Sequence, residues 1–464
     1  MRILLLGSGG REHALARALT AETDDVELFC APGNPGIAQH AQLIDMKAED
    51  GTAVAQWARD HQVDLVVIGP EAPLVAGVAD HVRAAGIPVF GPSAEAARLE
   101  SSKAFAKEIM AAAGVDTAQA YPCQSRAEVE AALGKFTPPY VVKNDGLAAG
   151  KGVVVTQDLE AALAHADACL ASEGGAVLVE EYLDGPEVSL FCLSDGETVV
   201  PLAPAQDFKR AYDADAGPNT GGMGAYSPLP WLESGFSEQV VERVARPVVD
   251  EMRRRGTPFV GLLYCGLACT SRGIRVVEFN ARFGDPETQV VLARLRTPLA
   301  PLLYAAATGE LGQVEPLQWD EQVAITVVMA ASGYPGTPRT ADAIEGVETA
   351  DAMDGVHVII AGAKRGETAA GGVDAGDGAD AARTGAGSEH RVAAAAAGAG
   401  AGTENRRHAL ANLVSSGGRV LNVVAMGQDF TQARERAYRA LDHIKLPGAH
   451  WRTDIAARAQ ENTR

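Results

Sequence analysis

The first 100 residues alternate short, almost wholly apolar runs with helical segments, and this alternation constrains the fold more than any other feature of the chain. The predicted strands are 3–6, 26–30, 65–68 and 88–90, and the predicted helices are 11–19, 52–61 and 78–85. Near-continuous apolar strands separated by helices indicate a parallel sheet that is covered on both faces. Ligands of such sheets lie beyond the carboxyl ends of the strands. Three loops rich in glycine and proline stand there, at 7–12, 31–34 and 69–73.

The first of these loops reads GSGGRE, and it follows a strand and opens a helix. Backbone amides near Gly9 and Gly10 are therefore candidates for holding a phosphate, although a tight turn without a ligand is the alternative. A dinucleotide-binding fingerprint requires a third glycine where Glu12 stands, and an acidic residue at the end of the second strand. The second strand instead runs into Cys30 and Ala31, so an NAD-dependent oxidoreductase is disfavoured.

Charge and composition exclude several further classes of protein. The 464 residues, enough for about three domains, include 40 basic and 60 acidic side chains, a net charge of −20. Such a surface repels nucleic acid and anionic membranes, and no apolar run reaches the roughly 20 residues of a transmembrane helix. The six cysteines have neither metal-site nor disulfide-framework spacing, which predicts free thiols in the cytoplasm.

Lysine is scarce, with 9 lysines against 31 arginines. Strong acidity combined with few lysines is typical of proteins from salt-rich cytoplasm, so the composition predicts a halophilic protein. A lysine in an apolar or glycine-rich setting then becomes a candidate for a specific role. Lys143 lies in a β-branched run, where a charge without an anionic partner is costly. The alternative is an outward-facing strand residue.

A glycine-rich hairpin follows that lysine. The segment 146–152 reads GLAAGKG, which departs from a P-loop in its glycine spacing and in having Gly152 where a Ser or Thr should follow the lysine. Because it lies between two predicted strands, we expect a flap that closes over nucleotide phosphates. The next hairpin carries Glu180, Glu181 and Glu187, which would accept hydrogen bonds from adenine or ribose. A solvated acidic turn is the alternative.

The sequence VVEFNARFGDPE predicts a metal site. Glu278 and Asn280 are two residues apart on a predicted strand and share one face, which leaves Val277 and Phe279 for the core. A carboxylate with a carboxamide oxygen suits Mg²⁺, whose remaining ligands are water and phosphate oxygens. Arg282 adds a planar donor fork for phosphoryl or carboxylate oxygens. An amphipathic edge strand is the alternative.

Two further segments differ sharply in composition. In the first, Asp207 and Lys209 precede a glycine-rich turn at 221–224, which would let backbone amides approach a small anionic substrate, unless it is a plain surface loop. The second, 366–403, is mainly Ala, Gly, Asp and Thr and cannot bury enough surface to offset its ordering entropy. We therefore expect a disordered insertion between strands at 356–360 and 420–424.

Taken together, these stretches closely resemble the phosphoribosylamine–glycine ligases (glycinamide ribonucleotide synthetases), which are ATP-grasp enzymes of purine synthesis. The resemblance rests on GGREHA, APGN, GPEAPL, SKAFAK, KNDGLAAGKGV, EEYLDG, GPNTGGMGAYSP and EFNARFGDPETQ, in the family's order. It covers nearly the whole chain outside the insertion and implies a multidomain α/β fold. The implied parts are an N-terminal parallel-sheet (pre-ATP-grasp) domain at 1–100, an ATP-grasp lid region at 101–190, an ATP-grasp central domain at 191–320 and a small C-terminal α/β domain at 321–464.

The resemblance also implies roles for individual residues. The implied catalytic residues are Asp207, Lys209 and Arg282, and the implied metal ligands are Glu278 and Asn280. Those implied to bind ATP are Lys103, Lys143, Gly146, Gly150, Lys151, Gly152, Glu180, Glu181 and Glu187. Those implied to bind the substrates are Gly9, Gly10, Glu71, Asn219, Gly221, Gly222, Gly224, Gly284, Asp285 and Pro286. The chain departs from the family in having Asn144 where alanine is usual, and in the insertion, which puts the outline of the C-terminal domain in doubt.

The reaction implied by the resemblance joins glycine to 5-phosphoribosylamine with ATP and Mg²⁺ or Mn²⁺. The glycine carboxylate attacks the γ-phosphate of ATP, which gives glycyl phosphate and ADP, and the amine then displaces phosphate. We expect a cytoplasmic monomer. An ATP-grasp ligase for a different carboxylate, and a nucleotide-binding regulator without catalysis, are the alternatives.

Overall fold

The structure is a computed structural model that describes residues 1–21, 25–146, 152–172, 175–366, 410 and 412–461. Within these ranges, four sheets of four or five strands form the framework, and two smaller sheets accompany them. None of the helices in the described ranges has the length and apolar character needed to cross a membrane.

The first sheet is parallel, which confirms the predicted fold class. Strands β1–β5 are Arg2–Gly7, Glu27–Pro32, Gln42–Leu43, Leu65–Ile68 and Val89–Phe90, in the order β3-β2-β1-β4-β5. Helices α1–α5 are Gly10–Thr20, Gly51–Asp60, Glu71–Val75, Val78–Ala84 and Arg98–Ser101. Leu4 and Leu6 on β1 pack into one core with α2 and α4, whereas Ile3 and Leu5 pack into another with α1. The sheet is therefore covered on both faces, as near-continuous apolar strands require.

The second sheet lies in the predicted lid region. Strands β6–β9 are Ala120–Cys123, Tyr140–Asn144, Val153–Thr156 and Val177–Glu180, in the antiparallel order β6-β9-β7-β8. Helices α6–α8 are Lys103–Ala113, Arg126–Leu133 and Leu159–Leu170. Helices α7 and α8 form a separate core with this sheet. Because β7 and β8 pair, the glycine-rich segment joins two strands, as predicted.

The third sheet is antiparallel and central. Strands β10–β17 are Glu187–Asp195, Val199–Pro201, Gln206–Asp207, Arg210–Tyr212, Ala216–Asn219, Gly224–Ser227, Val260–Thr270 and Gly273–Asn280. Helices α9–α12 are Phe236–Val240, Arg246–Arg254, Glu287–Arg294 and Leu299–Thr308. The sheet has the order β11-β10-β16-β17, and β13 pairs with β14 as a separate hairpin. Helix α6 packs against α10, so it belongs with this central part and not with the lid sheet.

The fourth sheet joins the C-terminal part to the centre. Strands β18–β23 are Val323–Ala330, Ala343–Ile344, Val356–Ile360, Ala363–Arg365, Leu413–Ser415 and Arg419–Gly427, and helices α13–α15 are Val347–Asp351, Phe430–His443 and Ala457–Glu461. The order is β12-β15-β18-β23-β20, so the division predicted at residue 320 runs through this sheet. Helix α14 packs on one face, and α1 and α11 pack on the other. Apart from Gly366, the predicted insertion 366–403 lies outside the described residues.

Strand β20 docks the fourth sheet onto the N-terminal unit. The backbone N–H of Ile360 donates to His13 Nδ1 at 2.8 Å, and its carbonyl accepts from Asn34 Nδ2 at 3.0 Å. Asn34 Nδ2 also donates to the Ser8 carbonyl at 2.8 Å. His13 and Asn34 follow β1 and β2, so the loop edge of the first sheet is held directly by the C-terminal sheet.

The stability of this docking should depend on pH. Burial, followed by the charge of Arg17, lowers the pKa of His357 on β20 from 6.5 to about 4, and burial followed by the charge of His40 lowers the pKa of His13. The unfolded chain takes up these protons first, so the free energy of unfolding falls as the pH drops from 6.5 toward 4. We expect His357 to contribute a loss of about 1–2 kcal/mol between pH 7 and pH 5.

Urea titrations at the two pH values measure this loss. His357→Gln should reduce the difference in unfolding free energy between pH 7 and pH 5, whereas His61→Gln, at an exposed position, should leave it unchanged. An undiminished difference in the His357 variant would contradict the assignment.

Candidate active site

The three loops predicted to bind a ligand meet at one edge of the first sheet. The Gly33 N–H donates to the Gly7 carbonyl at 3.1 Å. Glu12 lies between the loops, where its Oε2 accepts the Gly9 N–H at 2.6 Å. A Cβ placed on Gly69 would lie 2.3 Å from Glu12 Oε1. The carboxylate therefore fills the space between the loops.

Gly10 faces two buried amide side chains that the sequence did not indicate. A Cβ placed on Gly10 would lie 2.8 Å from Asn422 Nδ2 and 3.1 Å from Gln289 Nε2, so a larger residue would not fit. Asn422 is 1% exposed and Gln289 is 2% exposed. Among the described residues, neither amide atom of Asn422 nor the Gln289 Oε1 has a hydrogen-bond partner. Buried amide atoms that can still form hydrogen bonds therefore lie beside the first residue of α1.

Arg282 lies beside Glu71, as the predicted site requires. Its Nη2 is 2.9 Å from Glu100 Oε1 and its Nε is 3.3 Å from Glu71 Oε2. Burial alone would lower the pKa of Arg282, but the charges of Glu100 and Glu71 raise it. Arg11 donates to the carbonyl of Phe283 at 3.1 Å, which ties helix α1 to this segment. Glu100 was not predicted from the sequence, because it lies on a short helix without a recognisable motif.

A buried cluster of two lysines and one glutamate connects the lid to α6. Lys143 Nζ is 2.7 Å from Glu180 Oε2, and Lys107 Nζ is 3.1 Å from Glu180 Oε1. Lys143 also donates to the Val277 carbonyl at 3.0 Å, and Lys107 donates to Thr117 Oγ1 at 2.9 Å. Lys143 is 5% exposed and Glu180 is 3% exposed, so the alternative of an outward-facing Lys143 is wrong.

Lys107 was missed in the sequence, although a signal for it existed. It follows Lys103 by four residues on α6, a spacing that places both side chains on one face of a helix. In a chain with only 9 lysines, such a pair on one helical face is itself an indication of an anion site.

The base of the flap is tied to the start of α6. Lys103 Nζ donates to the Gly146 carbonyl at 3.0 Å, and the Lys103 backbone N–H donates to Asp145 Oδ1 at 2.6 Å. Burial lowers the pKa of Lys103, and the charge of Glu278 opposes this change. The side chain that is predicted to hold phosphate therefore contacts the residue at which the glycine-rich segment begins.

The other side of the hairpin is closed by the residue that departs from the family pattern. The backbone N–H of Asn144 donates to the Gly152 carbonyl at 2.7 Å. This bond uses only backbone atoms, so it does not depend on whether asparagine or alanine stands at position 144. Gly150 and Lys151 lie outside the described residues, and their role stays a prediction.

The acidic hairpin is not a simple solvated turn, because cations hold its carboxylates. Glu181 forms an ion pair with Arg272 at 2.5 Å, and Glu187 forms one with Lys209. Together with Glu180, all three carboxylates predicted to line an adenosine pocket are engaged by cationic side chains. Hydrogen bonds to a base at this place would therefore have to come largely from the backbone.

Glu278 and Asn280 lie on β17, and a β-bulge interrupts the strand just before them. Gly266 pairs with Glu278 but the next residue of β16 pairs with Val276, so Val277 is the extra residue. The prediction that Val277 faces the core is wrong, because the bulge turns it to a half-buried position and Val276 is the fully buried residue. Phe279 is buried as predicted, and Glu278 and Asn280 are half-buried.

The Glu278 carboxylate suits a divalent cation. Burial would raise its pKa, but Lys209, Lys143 and Lys103, followed by Arg282, lower it, so the group is ionised. Within the described residues, Glu278 has no direct hydrogen-bond or ion-pair partner, and no three His, Cys, Asp or Glu side chains are grouped so that they could hold a metal ion by themselves. A carboxylate and an amide alone fit a metal ion that takes its other ligands from phosphate and water.

Asp207 and Lys209 lie near enough to Glu278 for its charge to act on both of them. Burial, opposed by Lys209 and reinforced by Glu287, Glu187 and Glu278, raises the pKa of Asp207 to about 7. Burial would lower the pKa of Lys209, but Asp207 and Glu187 raise it well above its usual range. The site thus combines a permanent cation with a carboxyl group that changes protonation near neutral pH.

Arg419, which the sequence did not indicate, ties the glycine-rich turn to the segment after Arg282. Its guanidinium is 3.1 Å from the Asp285 carboxylate and donates to the carbonyls of Asp285 at 2.7 Å and Gly221 at 2.5 Å. Gly222 has φ +108°, and a Cβ there would lie 2.4 Å from Pro286 Cδ. Glycine is required here because two protein segments approach each other closely.

Three more predicted residues lie at the same junction. Asn219 Nδ2 donates to the Val153 carbonyl at 3.3 Å, which links the turn to the lid. A Cβ on Gly224 would lie 2.6 Å from a backbone carbonyl of β18, and a Cβ on Gly284 would lie 2.7 Å from Glu287 Oε2. Packing within the protein therefore explains these two glycines.

Comparison with known proteins gives a family for the whole chain. Models of the phosphoribosylglycinamide synthetase family match at 1–100 (N domain), 101–288 (ATP-grasp (A) domain) and 324–458 (C domain). The phosphoribosylamine–glycine ligase of Streptomyces coelicolor is 58% identical over 459 residues, covering 99% of each chain. That of Mycobacterium tuberculosis is 51% identical over 466 residues, again covering 99% of each.

Solved structures agree with this result. The crystal structure of phosphoribosylamine–glycine ligase from Thermotoga maritima has a TM-score of 0.77 and 27% identity, covering 98% of this chain and all of that one. The biotin carboxylase domain of Hydrogenobacter thermophilus 2-oxoglutarate carboxylase, at 15% identity and a TM-score of 0.66, shares the fold. From end to end, therefore, the chain belongs to the phosphoribosylglycinamide synthetase family.

Proposed function

We propose that this protein ligates glycine to 5-phosphoribosylamine at the expense of ATP, forming glycinamide ribonucleotide, ADP and phosphate through glycyl phosphate. The main support for placing this reaction at the site is the group of cations around Glu278. Lys103, Lys143, Lys209 and Arg282 all act electrostatically on the carboxylate of Glu278, which has no direct partner among the described residues. Four cations around one carboxylate suit a polyphosphate and a metal ion, and relatives along the whole length are named for this ligase.

The nucleotide base would bind where β9 ends. Since the carboxylates of Glu180 and Glu181 are held by cations, the backbone of Tyr182 and Leu183, which follows β9 outside any strand, offers the free donors and acceptors. Glu187 would reach the ribose hydroxyls only by sharing its ion pair with Lys209. This arrangement supports recognition of adenine by backbone N–H and carbonyl groups.

The phosphates would lie between the lid and β17. Lys143 and Lys103 reach this space from the lid and from α6, and the flap that includes Gly146, Gly150, Lys151 and Gly152 would close over it and exclude water. Mg²⁺ or Mn²⁺ held by Glu278 and Asn280 would supply neutralisation of charge on the transferred phosphoryl group. Little acid–base chemistry is needed in this step, because a carboxylate is already a nucleophile.

Lys107→Met should raise the KM for ATP by about 10-fold and change kcat less. The substitution removes one of two cations on Glu180, which then holds Lys143 more tightly and withdraws it from the phosphates. Steady-state rates with ATP as the varied substrate measure the effect. Lys135→Met, an exposed lysine over the Tyr121 ring in the same lid, is the matched control. An unaltered KM for ATP in the Lys107 variant would contradict this role.

Phosphoribosylamine would lie against the loop edge of the first sheet. Amides near Gly9 and Gly10 would offer hydrogen bonds to its polar groups, together with the Asn422 amide and the Gln289 Oε1, which have no hydrogen-bond partner among the described residues. Glu71, Gly284, Asp285 and Pro286, with Arg282, would form the side that faces glycine, together with the backbone of Asn219, Gly221, Gly222 and Gly224. The attacking amine must lose a proton, and Asp207, whose pKa is near 7, would accept it.

The cellular setting and domain division belong to the same proposal. All six cysteines are free thiols and five are buried, which supports a reducing, cytoplasmic location. The acidic, lysine-poor composition supports work at high salt, and we propose a monomer. The regions 1–100, 101–190, 191–320 and 321–464 are proposed as the N-terminal, lid, central and C-terminal parts, with helix α6 of the second region packed on the central part.

A coupled assay tests the function. The full chain in high KCl receives ATP, glycine and freshly generated phosphoribosylamine, while ADP release and the mass of the product are followed. We expect ADP release that requires both co-substrates and a product with the mass of glycinamide ribonucleotide. ADP release with another carboxylate but not with glycine would favour a different ligase. Bound ATP without any amide product would favour a regulator.

A further inference from the structure

Among the described residues, Arg452 is the largest of the almost fully buried side chains, at 1% exposure, and it belongs to none of the sequence motifs described above. Its Nε and Nη2 each donate to the Asp454 carboxylate at 2.7 Å. Its Nη1 donates to Asp215 Oδ1 at 2.8 Å and to the Arg210 carbonyl at 3.2 Å. All three guanidinium nitrogens are therefore bonded, and they connect the end of the chain to the segment that follows Lys209.

The same guanidinium lies over Phe208, with its central carbon 4.9 Å from the ring centroid. Phe208 stands between Asp207 and Lys209, and in an extended segment neighbouring side chains point to opposite faces. The segment is extended, because the Phe208 N–H donates to the Gly224 carbonyl at 2.9 Å and its carbonyl accepts the Met223 N–H at 2.8 Å. Arg452 thus supports the segment from the face opposite to its two proposed catalytic side chains.

The backbone of the segment is also held from elsewhere, since the Thr220 N–H donates to the Lys209 carbonyl at 2.7 Å and Asp207 pairs with Ala225 of β15, but its charged side chains are less constrained. The Lys209–Glu187 ion pair has side chains that are 37% and 45% exposed, and such exposed pairs contribute little rigidity. Behind it, the C-terminal segment makes further bonds. The Thr453 N–H donates to Asp213 at 2.8 Å, and the Ala214 N–H donates to Asp454 at 2.9 Å.

We propose that Arg452 is a positioning residue of the ligase, which fixes Asp207 and Lys209 through Phe208 and the Arg210 carbonyl without touching a substrate. This inference rests on the function proposed above, since it assumes that Asp207 and Lys209 serve the glycine-transfer half of the reaction. A displacement of such groups by about 1 Å costs on the order of 100-fold in rate. The nucleotide side, built by Lys143 and Glu180, should not respond.

Arg452→Met tests the proposal, with Arg434→Met as the matched control. Arg434 holds the same C-terminal segment, donating to the carbonyls of Thr453 and Ile455, but it has no bond to the Asp207–Lys209 segment. We expect Arg452→Met to lower kcat by about 30-fold with the KM for ATP within about twofold of wild type. Arg434→Met should lower the thermal midpoint comparably and leave kcat within about twofold.

The pH profile is a second readout that a purely structural role would not move. Burial raises the pKa of Asp207, so a loosened segment should shift the acid limb of kcat/KM to lower pH in Arg452→Met but not in Arg434→Met. An acid limb at the wild-type position, or a loss of kcat that is equal in the two variants, would overturn the proposal.

Phe208→Leu keeps the test decisive if Arg452→Met does not fold. A loss of kcat with an unchanged KM for ATP in this variant supports the proposal, and wild-type turnover overturns it. In the double variant, a loss no greater than that of the larger single change supports action through Phe208, and additive losses overturn it. If the wild-type protein shows no glycine-dependent ligation, the proposed function is overturned together with this inference. If the wild-type protein and the Arg452→Met variant are equally active, only this inference is overturned.

Discussion

Glu278→Ala should lower kcat by at least about 1,000-fold, the largest effect that we expect from a single substitution in this protein. The carboxylate is ionised, four cations act on it, and it has no direct partner among the described residues. Its removal therefore takes away the proposed ligand of the metal ion without opening a network of structural bonds. Because the surrounding cations lower the pKa of Glu278, the ionised group contributes some stability, so the thermal midpoint should fall by a few degrees.

Turnover at saturating ATP, glycine and phosphoribosylamine, measured over a range of Mg²⁺ and Mn²⁺ concentrations, checks this prediction. Glu278→Gln keeps the shape of the side chain and should be nearly as inactive, since the charge is what the cation requires. Glu197→Gln, which removes an exposed partner of Arg253, is the control and should behave as wild type. Wild-type turnover of either Glu278 variant at ordinary metal concentrations would refute the metal site.

Arg282→Met should lower kcat/KM for phosphoribosylamine by about 100-fold and should also destabilise the protein by about 3 kcal/mol. The guanidinium neutralises Glu100, whose side chain is 7% exposed, and Glu71. Burial already raises the pKa of Glu100, and the loss of Arg282 would raise it further. When a carboxyl group has a higher pKa in the folded than in the unfolded protein, the free energy of unfolding falls as the pH rises toward the folded-state pKa. The variant should therefore be less stable at pH 8 than at pH 5.

The double substitution Arg282→Met with Glu100→Gln separates the two roles of the arginine. It removes the unpaired buried charge, so the thermal midpoint should recover most of its loss, while kcat/KM should stay low. Recovery of kcat/KM together with stability would mean that Arg282 acts only as a counterion for Glu100 and does not contact a substrate.

The N-terminal fold could be predicted from the sequence because its signals are local. A strand that is apolar on both faces, such as Leu65–Ile68, appears directly in the amino-acid order, and its predicted bounds match the structure. The hairpin between Tyr140–Asn144 and Val153–Thr156 was also predictable, since glycines separated two β-branched runs. The bulge at Val277 could not be predicted, because the pattern of apolar and polar residues in the strand does not show where an extra residue interrupts the pairing.

The candidate site was predictable where its residues lie in motifs and not where they are held by distant partners. Arg419 binds Asp285 across 134 residues of chain, and nothing near either residue indicates the pairing. The orientation of Glu180 likewise depends on Lys107 and Lys143, which stand on two other elements. The sequence therefore indicated the chemical groups of the site but not the contacts that orient them.

The fate of the carboxylate oxygens of glycine tests the central claim most directly. If the carboxylate attacks the γ-phosphate and the amine later expels phosphate, one oxygen of glycine leaves with that phosphate. With glycine labelled by ¹⁸O in its carboxylate, and with ATP and phosphoribosylamine present, mass spectrometry of the released phosphate should find one ¹⁸O atom per molecule of product formed. Phosphate without the label, or label in AMP instead, would contradict activation of glycine as an acyl phosphate by this site.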